Sequence, residues 1–358
     1  MGHVVVIGAG QAGSSCVAKL RNSGFEGKIT LIGAEAVPPY QRPPLSKAYL
    51  LGDMALERLY LRPESFYPDH GIDLMLGTTV DSIDPAAQTI RVNGGNMPYD
   101  DLVLTTGSFP RRLPASIGGD LDGVHVVRDL SDVDTMGPRF AKGARVLIVG
   151  GGYIGLEAAS VAAKLGLQVT LVEMGDRILQ RVAAPQTSDF FRDLHAAHGV
   201  TIREGVGLER LIGDTHVTGA QLSDGSELAV DFVIVGVGIG AATALADAAG
   251  IVNDNGIMTD THGRTSAPHV WAAGDCASFP YRSGRIRLES VPHAIDQAEL
   301  VAENIMGADK EYVAKPWFWS DQYDVKLQIA GLNMGYDRVI TRRTDADSVA
   351  FWYYRGDE

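Results

Sequence analysis

The chain predicts an α/β fold with two doubly wound βαβ domains, one inserted in the other, followed by a smaller C-terminal α+β part. Three observations predict it. A glycine pattern occurs twice about 140 residues apart, as Gly8-Ala9-Gly10-Gln11-Ala12-Gly13 and Gly150-Gly151-Gly152-Tyr153-Ile154-Gly155. Each copy follows an apolar run of strand character, residues 4–7 and 146–149, and opens a segment with helical periodicity. An apolar run ending in glycine then closes each half, at residues 99–107 and 231–238, so the order of elements is duplicated.

Taken in order, the strand at 4–7 feeds the first pattern, whose glycines each answer a different need. The first permits the turn out of the strand, the second lets backbone approach a pyrophosphate, and the third lets helix and strand pack closely. The diphosphate then lies on free N–H groups at the helix N-terminus. A following strand should end in an acidic residue that accepts from a ribose hydroxyl, and the two halves supply Glu35, two residues past Gly33, and Glu173. Two Rossmann-like domains binding two dinucleotides is the reading that follows.

Between them, Pro38-Pro39-Tyr40-Gln41-Arg42-Pro43-Pro44-Leu45-Ser46-Lys47 makes a stiff loop that costs little entropy to order. Short strands are expected around residues 73–84 and 89–92, and the second βαβ unit at 144–173. A third apolar strand, Val270-Trp271-Ala272-Ala273-Gly274-Asp275, returns the chain to the first domain, and a helix should start at Pro292 and end at Met306 before Gly307. Residues 311–358 are aromatic and strand-like. The expected domains are therefore 1–110 with 240–310, then 111–239, then an incomplete 311–358.

At 358 residues and 45% hydrophobic content, the chain can bury a large core across two or three domains. No apolar stretch approaches the roughly 20 residues that span a bilayer, and no charged leader precedes the first strand, so no membrane association and a cytoplasmic location are expected. A net charge of −13 argues against affinity for nucleic acid. The two cysteines, Cys16 and Cys276, form neither a zinc spacing nor a redox pair, and no metal site is expected.

Pro43-Pro44-Leu45-Ser46-Lys47, the run from Gly150 to Glu157, Gly274-Asp275, Glu289-Ser290-Val291-Pro292 and Pro316-Trp317-Phe318-Trp319-Ser320-Asp321-Gln322 together resemble the FAD-dependent NADH:ferredoxin reductases. The putidaredoxin reductase and rhodocoxin reductase type, of the glutathione-reductase structural class, is the nearest likeness, and it covers essentially the whole chain. It implies FAD on Gly8, Gly10, Ala12, Gly13, Glu35, Lys47, Val80, Arg128, Asp275 and Val291. It implies NADH on Gly150, Gly152, Tyr153, Ile154, Gly155, Glu173 and Gly238. A carboxylate at the strand end suits a free 2′-hydroxyl, whereas a 2′-phosphate against Glu173 would cost about 2–4 kcal/mol, so NADH is expected over NADPH, with Arg177 the residue most able to weaken that bias.

The resemblance further implies an enzyme in which Lys47, Glu157 and Trp319 lie by the flavin, with a helix start at Pro292 aimed at the ring. Hydride from NADH would pass to FAD, and single electrons to a [2Fe–2S] ferredoxin serving a cytochrome P450 or a ring-hydroxylating dioxygenase. The cluster belongs to the partner, since two cysteines cannot hold one here. His293 reads as structural. Two departures stand out: the chain stops at Arg355-Gly356-Asp357-Glu358, roughly 40–60 residues short of the family's length, and Glu299 stands where relatives offer a basic docking residue. Arg282, Arg285, Arg287, Arg342 and Arg343 are the cations left for docking. A monomer or weak dimer is expected. The competing readings are an NADH oxidase or quinone reductase flavoprotein, and an NADH-sensing interaction protein resembling apoptosis-inducing factor.

Overall fold

Val4 and Val6 of the strand His3–Ile7 fall in one apolar cluster and Val5 and Ile7 in another, as the two-residue period of a strand buried on both faces requires. The computed structural model describes residues 2–344 and 348–357 of the chain. This strand is the centre of a five-stranded sheet in the order Val270–Ala272, Asp101–Leu104, His3–Ile7, Lys28–Ile32, Ile72–Met75, parallel throughout. Helices Gln11–Asn22 and Val291–Ile305 cover one face through Cys16, Val17, Leu20, Ala298 and Val301. A three-stranded antiparallel meander, Val80–Asp84, Thr89–Val92 and Gly95–Pro98, covers the other through Val80, Ile83, Ile90 and Val92. The returning strand is fixed by Trp271, whose indole N–H donates to Asp101 at 2.8 Å.

The same plan recurs. A second parallel sheet runs Thr201–Glu204, Gln168–Glu173, Arg145–Val149, Phe232–Val235, Val124–His125, again with the strand that feeds the glycine pattern in the middle. Helix Tyr153–Lys164 follows that strand, and a second meander, Leu208–Ile212, Gly219–Leu222 and Glu227–Ala229, packs its apolar side on Leu147, Val149, Val233 and Val235. The fifth strand differs in origin: the first sheet takes it from chain after the inserted half, the second from chain before its own pattern.

Two units result: Met1–Gln41, Ala55–Phe109 and Gly240–Phe318 form the first, and Arg42–Met54, Pro110–Ile239 and Trp319–Glu358 the second. The Pro-rich segment joins the second because Arg42 donates to the Arg128 carbonyl at 2.8 Å and Tyr49 to Asp134 at 2.8 Å. The C-terminal residues join it through hairpin Trp317–Gln322 with Val325–Ala330, and hairpin Arg338–Thr344 with Ser348–Tyr354. Tyr353 of the latter accepts from the Ala184 amide at 2.8 Å. The strand expected around residues 73–84 is two elements, Ile72–Met75 in the parallel sheet and Val80–Asp84 in the meander.

Candidate functional site

In both glycine patterns the protein itself demands the outer glycines and makes no demand for the middle one. A Cβ on Gly8 would lie 2.1 Å from the Thr105 carbonyl oxygen, and one on Gly13 2.0 Å from that of Gly8. The equivalents are 2.3 Å for Gly150 against Gly236 and 2.1 Å for Gly155 against Gly150. Gly10 and Gly152 face open space, with nothing within 4 Å of an added Cβ. Each is the N-cap of its helix, without a side-chain cap and without an acidic residue in the first turn. The uncapped N–H groups and the Cβ-free approach fit a pyrophosphate at both places.

The two acidic residues are held differently. Glu173 ends its strand and accepts from the amides of Gly151 and Gly175, both at 2.7 Å, so its carboxylate is fixed beside the second pattern with acceptor capacity left over. Glu35 lies beyond its strand and accepts from the Tyr40 hydroxyl at 2.5 Å. Ile154, Met174 (82% exposed) and Val237 are large apolar side chains turned to solvent at the second pattern, its strand end and the loop before Gly238. Met174 and Val237 were not singled out from the sequence; exposed apolar residues flanking Glu173 and Gly238 are the signal. Arg177 is tied to Ser188 at 2.6 Å and to the Gln180 carbonyl, its own loop.

The second cluster lies around Glu157, on the first helical turns after the second pattern and only 2% exposed. Lys47 Nζ lies 2.9 Å from Oε1, Ser46 Oγ donates to Oε2 at 2.5 Å and Ser320 Oγ to Oε1 at 2.7 Å. Burial pushes the carboxyl above its ordinary pKa, and Lys47 with the two hydroxyls opposes that rise. A one-turn 3-10 helix, Pro43–Ser46, sets Ser46 and Lys47 side by side, with two prolines fixing the backbone at its start. Trp319 alternates with Ser320 along the strand, so its indole lies on the face opposite the Ser320–Glu157 bond.

The other predicted residues lie as follows. Ala12 is buried on the first helix and Val80 buried at the start of its strand. Asp275 accepts from Ser108 at 2.9 Å. Val291 opens the helix capped by Ser290, which accepts from the His293 amide. Lys47 and Arg128 belong to the second unit, the other residues assigned to FAD to the first. Gly238 has φ +103°, and its carbonyl accepts from the Arg111 amide at 2.9 Å. His293 is buried against Phe279, and its Nδ1 meets the Tyr312 hydroxyl at 2.8 Å; burial lowers its pKa to about 4. Among the offered docking cations, Arg285 is turned inward to the Thr259 and Ser278 carbonyls and Arg287 to Glu289 and the Asp275 carbonyl, which removes both from a docking face. Among the described residues no group of side chains could hold a metal ion, and no helix is long and apolar enough to cross a membrane.

Residues 2–298 match the family model described as pyridine nucleotide-disulphide oxidoreductase, and residues 317–358 the one described as reductase C-terminal. The chain is 46% identical over 345 residues to a ferredoxin–NAD(P)(+) reductase of Sphingomonas sp., spanning 95% of this chain and 83% of that protein. It is 41% identical over 364 residues to putidaredoxin reductase of Pseudomonas putida, spanning 99% and 86%. Among solved structures, the reductase of the covalent putidaredoxin reductase–putidaredoxin complex superimposes with a TM-score of 0.96 at 40% identity, covering 99% of this chain and 88% of the other.

Proposed function

Because the chain belongs to the pyridine nucleotide-disulphide oxidoreductase family, we propose that it works as an NADH-dependent ferredoxin reductase. It is an oxidoreductase that uses FAD and a nicotinamide coenzyme, and its electrons go to a [2Fe–2S] ferredoxin, which in turn supplies a cytochrome P450 or a ring-hydroxylating dioxygenase. When bound, FAD would supply the exchange between a two-electron hydride donor and a one-electron carrier.

The observation that carries this reading is the doubled glycine cradle together with the inert cysteines. Both thiols are free and fully buried; burial alone drives that of Cys16 up to about 12 and leads the rise at Cys276. No thiolate is available to take electrons inside the chain, so they leave from the flavin to an outside carrier.

The chain's own residues bind and orient. Gly10, Ala12 and Gly13 offer N–H groups to the FAD pyrophosphate at the turn that Gly8 permits, its own N–H being donated to the Ile32 carbonyl at 2.8 Å; Glu35, Val80, Asp275 and Val291 complete that assignment, and Lys47 and Arg128 join it by motif alone. Gly150, Gly152, Tyr153, Ile154, Gly155 and Gly238 take the coenzyme, and Glu173 receives its adenine ribose. Apolar Ile154, Met174 and Val237 offer flat surface to the adenine. Lys47 carries a fixed positive charge, anchored by Glu157, that favours negative charge developing on a reduced ring. Trp319 completes the catalytic assignment. Location in the cytoplasm is part of this proposal.

Stopped-flow mixing of the purified flavoprotein with NADH, then with cytochrome c and a [2Fe–2S] ferredoxin, tests it. Rapid flavin bleaching and ferredoxin-dependent cytochrome reduction are expected, with NADH preferred to NADPH at least tenfold, since a 2′-phosphate would face Glu173. Cytochrome reduction that ignores the ferredoxin would refute the reading.

A further inference from the structure

Glu157 ends a longer run of hydrogen bonds that the activity above does not use. Ser320 donates to Glu157, and Gln322 Nε2 donates to Ser320 Oγ at 3.1 Å. With its NH2 group engaged there, the Gln322 amide presents Oε1 to His195 Nε2 at 2.8 Å. An amide oxygen only accepts, so the imidazole carries its proton on Nε2, and Nδ1 is left to accept from the Tyr323 hydroxyl at 3.1 Å. Phenol, imidazole, amide, hydroxyl and carboxylate thus follow one another with every donor pointing the same way. Ser320, Gln322 and His195 are completely buried. At the outer end the Tyr323 ring stacks on exposed His198, with centroids 3.7 Å apart and planes 15° from parallel.

Two features say what such a run can do. An amide keeps its protons, so no proton hops through Gln322 and the run is not a wire. Dipoles aligned in series do strengthen one another, and here all present their positive end to Glu157. Tyr323 also sits at φ +57°, in the turn between Gln322 and Val325, where a non-glycine residue costs about 1 kcal/mol or more. Glycine or asparagine would relieve that strain but would remove the hydroxyl.

We infer that Tyr323, His195, Gln322 and Ser320 form a one-way donor chain that keeps the buried Glu157 carboxylate ionised and turned to Lys47. Gln322 and His195 are therefore positioning residues for the ion pair. The inference rests on the reductase reading only for the use made of the pair; the charge on Glu157 is its readout. The groups facing Glu157 are Lys47, Ser46, Ser320 and, on its own helix, Tyr153; those facing His195 are Gln322, Tyr323 and His198. Burial holds the His195 pKa below its ordinary value, so the ring is neutral at pH 7 and adds no charge of its own.

Infrared difference spectra of the holoprotein labelled with 13C-carboxyl glutamate, with Glu157→Gln identifying the band, follow the protonation of this one carboxyl across pH. Ser320→Ala should raise its midpoint by about one unit, tenfold in the ionisation constant. Gln322→Leu and His195→Phe should raise it by less. His195→Gln, which still places an N–H where Nε2 stood, should restore the wild-type midpoint. Tyr323→Phe removes only the outermost hydroxyl and should give a small rise in the same direction; it serves if the buried phenyl of His195→Phe prevents folding. Variants that melt earlier yet titrate as wild type would make the chain a structural clip and overturn the inference, as would failure of His195→Gln to restore the midpoint. Midpoint shifts in a protein that does not reduce ferredoxin would leave the inference standing and sink the reductase reading.

Discussion

At Glu157 a carboxylate withdrawn from water is balanced by one ammonium and two hydroxyls. Its folded pKa is raised, so the stability it contributes is full below the ordinary carboxylate range and is lost as pH rises through the folded value. Lys47→Met raises that value further, and the variant should lose stability on going from pH 5 to pH 8, by at most about 4 kcal/mol, the limit for one proton over three pH units, read from denaturant midpoints. Adding Glu157→Gln should remove the pH dependence. His293 works in the opposite direction. Its folded pKa falls from 6.5 to about 4, so the stability it supplies is present above pH 6.5 and is lost as pH falls toward 4. His293→Asn should flatten that acid limb by on the order of 3 kcal/mol over this window. The Lys47–Glu157 pair was legible from motif context, because each residue sits in a quotable run. Ser320 was quoted as motif but its bond was not legible: a hydroxyl partner 163 positions away leaves no periodic or compositional trace. The bond that ties Arg177 to Ser188 was not legible either, since sequence gives its proximity to Glu173 and nothing more.

The glycine patterns carry the argument at the scale of elements. Gly10→Ala and Gly13→Ala are the same chemical change with opposite expected outcomes. The first adds a methyl where the protein has open space, so the chain should fold and lose flavin affinity; the second adds one 2.0 Å from a carbonyl oxygen and should cost folding itself. Circular dichroism with flavin absorbance separates the two. Gly152→Ala should behave as the first, retaining flavin while the NADH dissociation constant rises at least tenfold. Strand, pattern and helix were readable here because three independent signals coincide, an apolar run, a glycine pattern and a helical periodicity. The helix start expected at Pro292 is at Val291, a proline in the first turn being the strongest helix-start signal in that stretch. Thr89–Val92 was read at its observed bounds, but Val80–Asp84 was blurred with Ile72–Met75, since strands of four or five residues show too few alternations to fix their ends.

On the scale of the whole chain, the duplication was visible in sequence, while the allegiance of segments 42–54 and 319–358 was not. Arg42, Ser46, Lys47, Ser320, Gln322 and Tyr353 tie those segments to the second unit by single long-range bonds, and no local signal announces them. Ending the chain after Phe318 should therefore strip Glu157 and His195 of partners and speed proteolysis within 110–239, while fragments of the first unit, with its own clusters on both sheet faces, persist; mass spectrometry of a timed digest reads the difference. The two sealed thiols carry a consequence for the molecule in service. Oxygenase systems leak peroxide when their cycles uncouple, and a reductase working through a dithiol is disarmed by it. With Cys16 and Cys276 wholly enclosed, iodoacetamide at neutral pH should leave turnover untouched, so that resistance to thiol-directed damage is built into the packing.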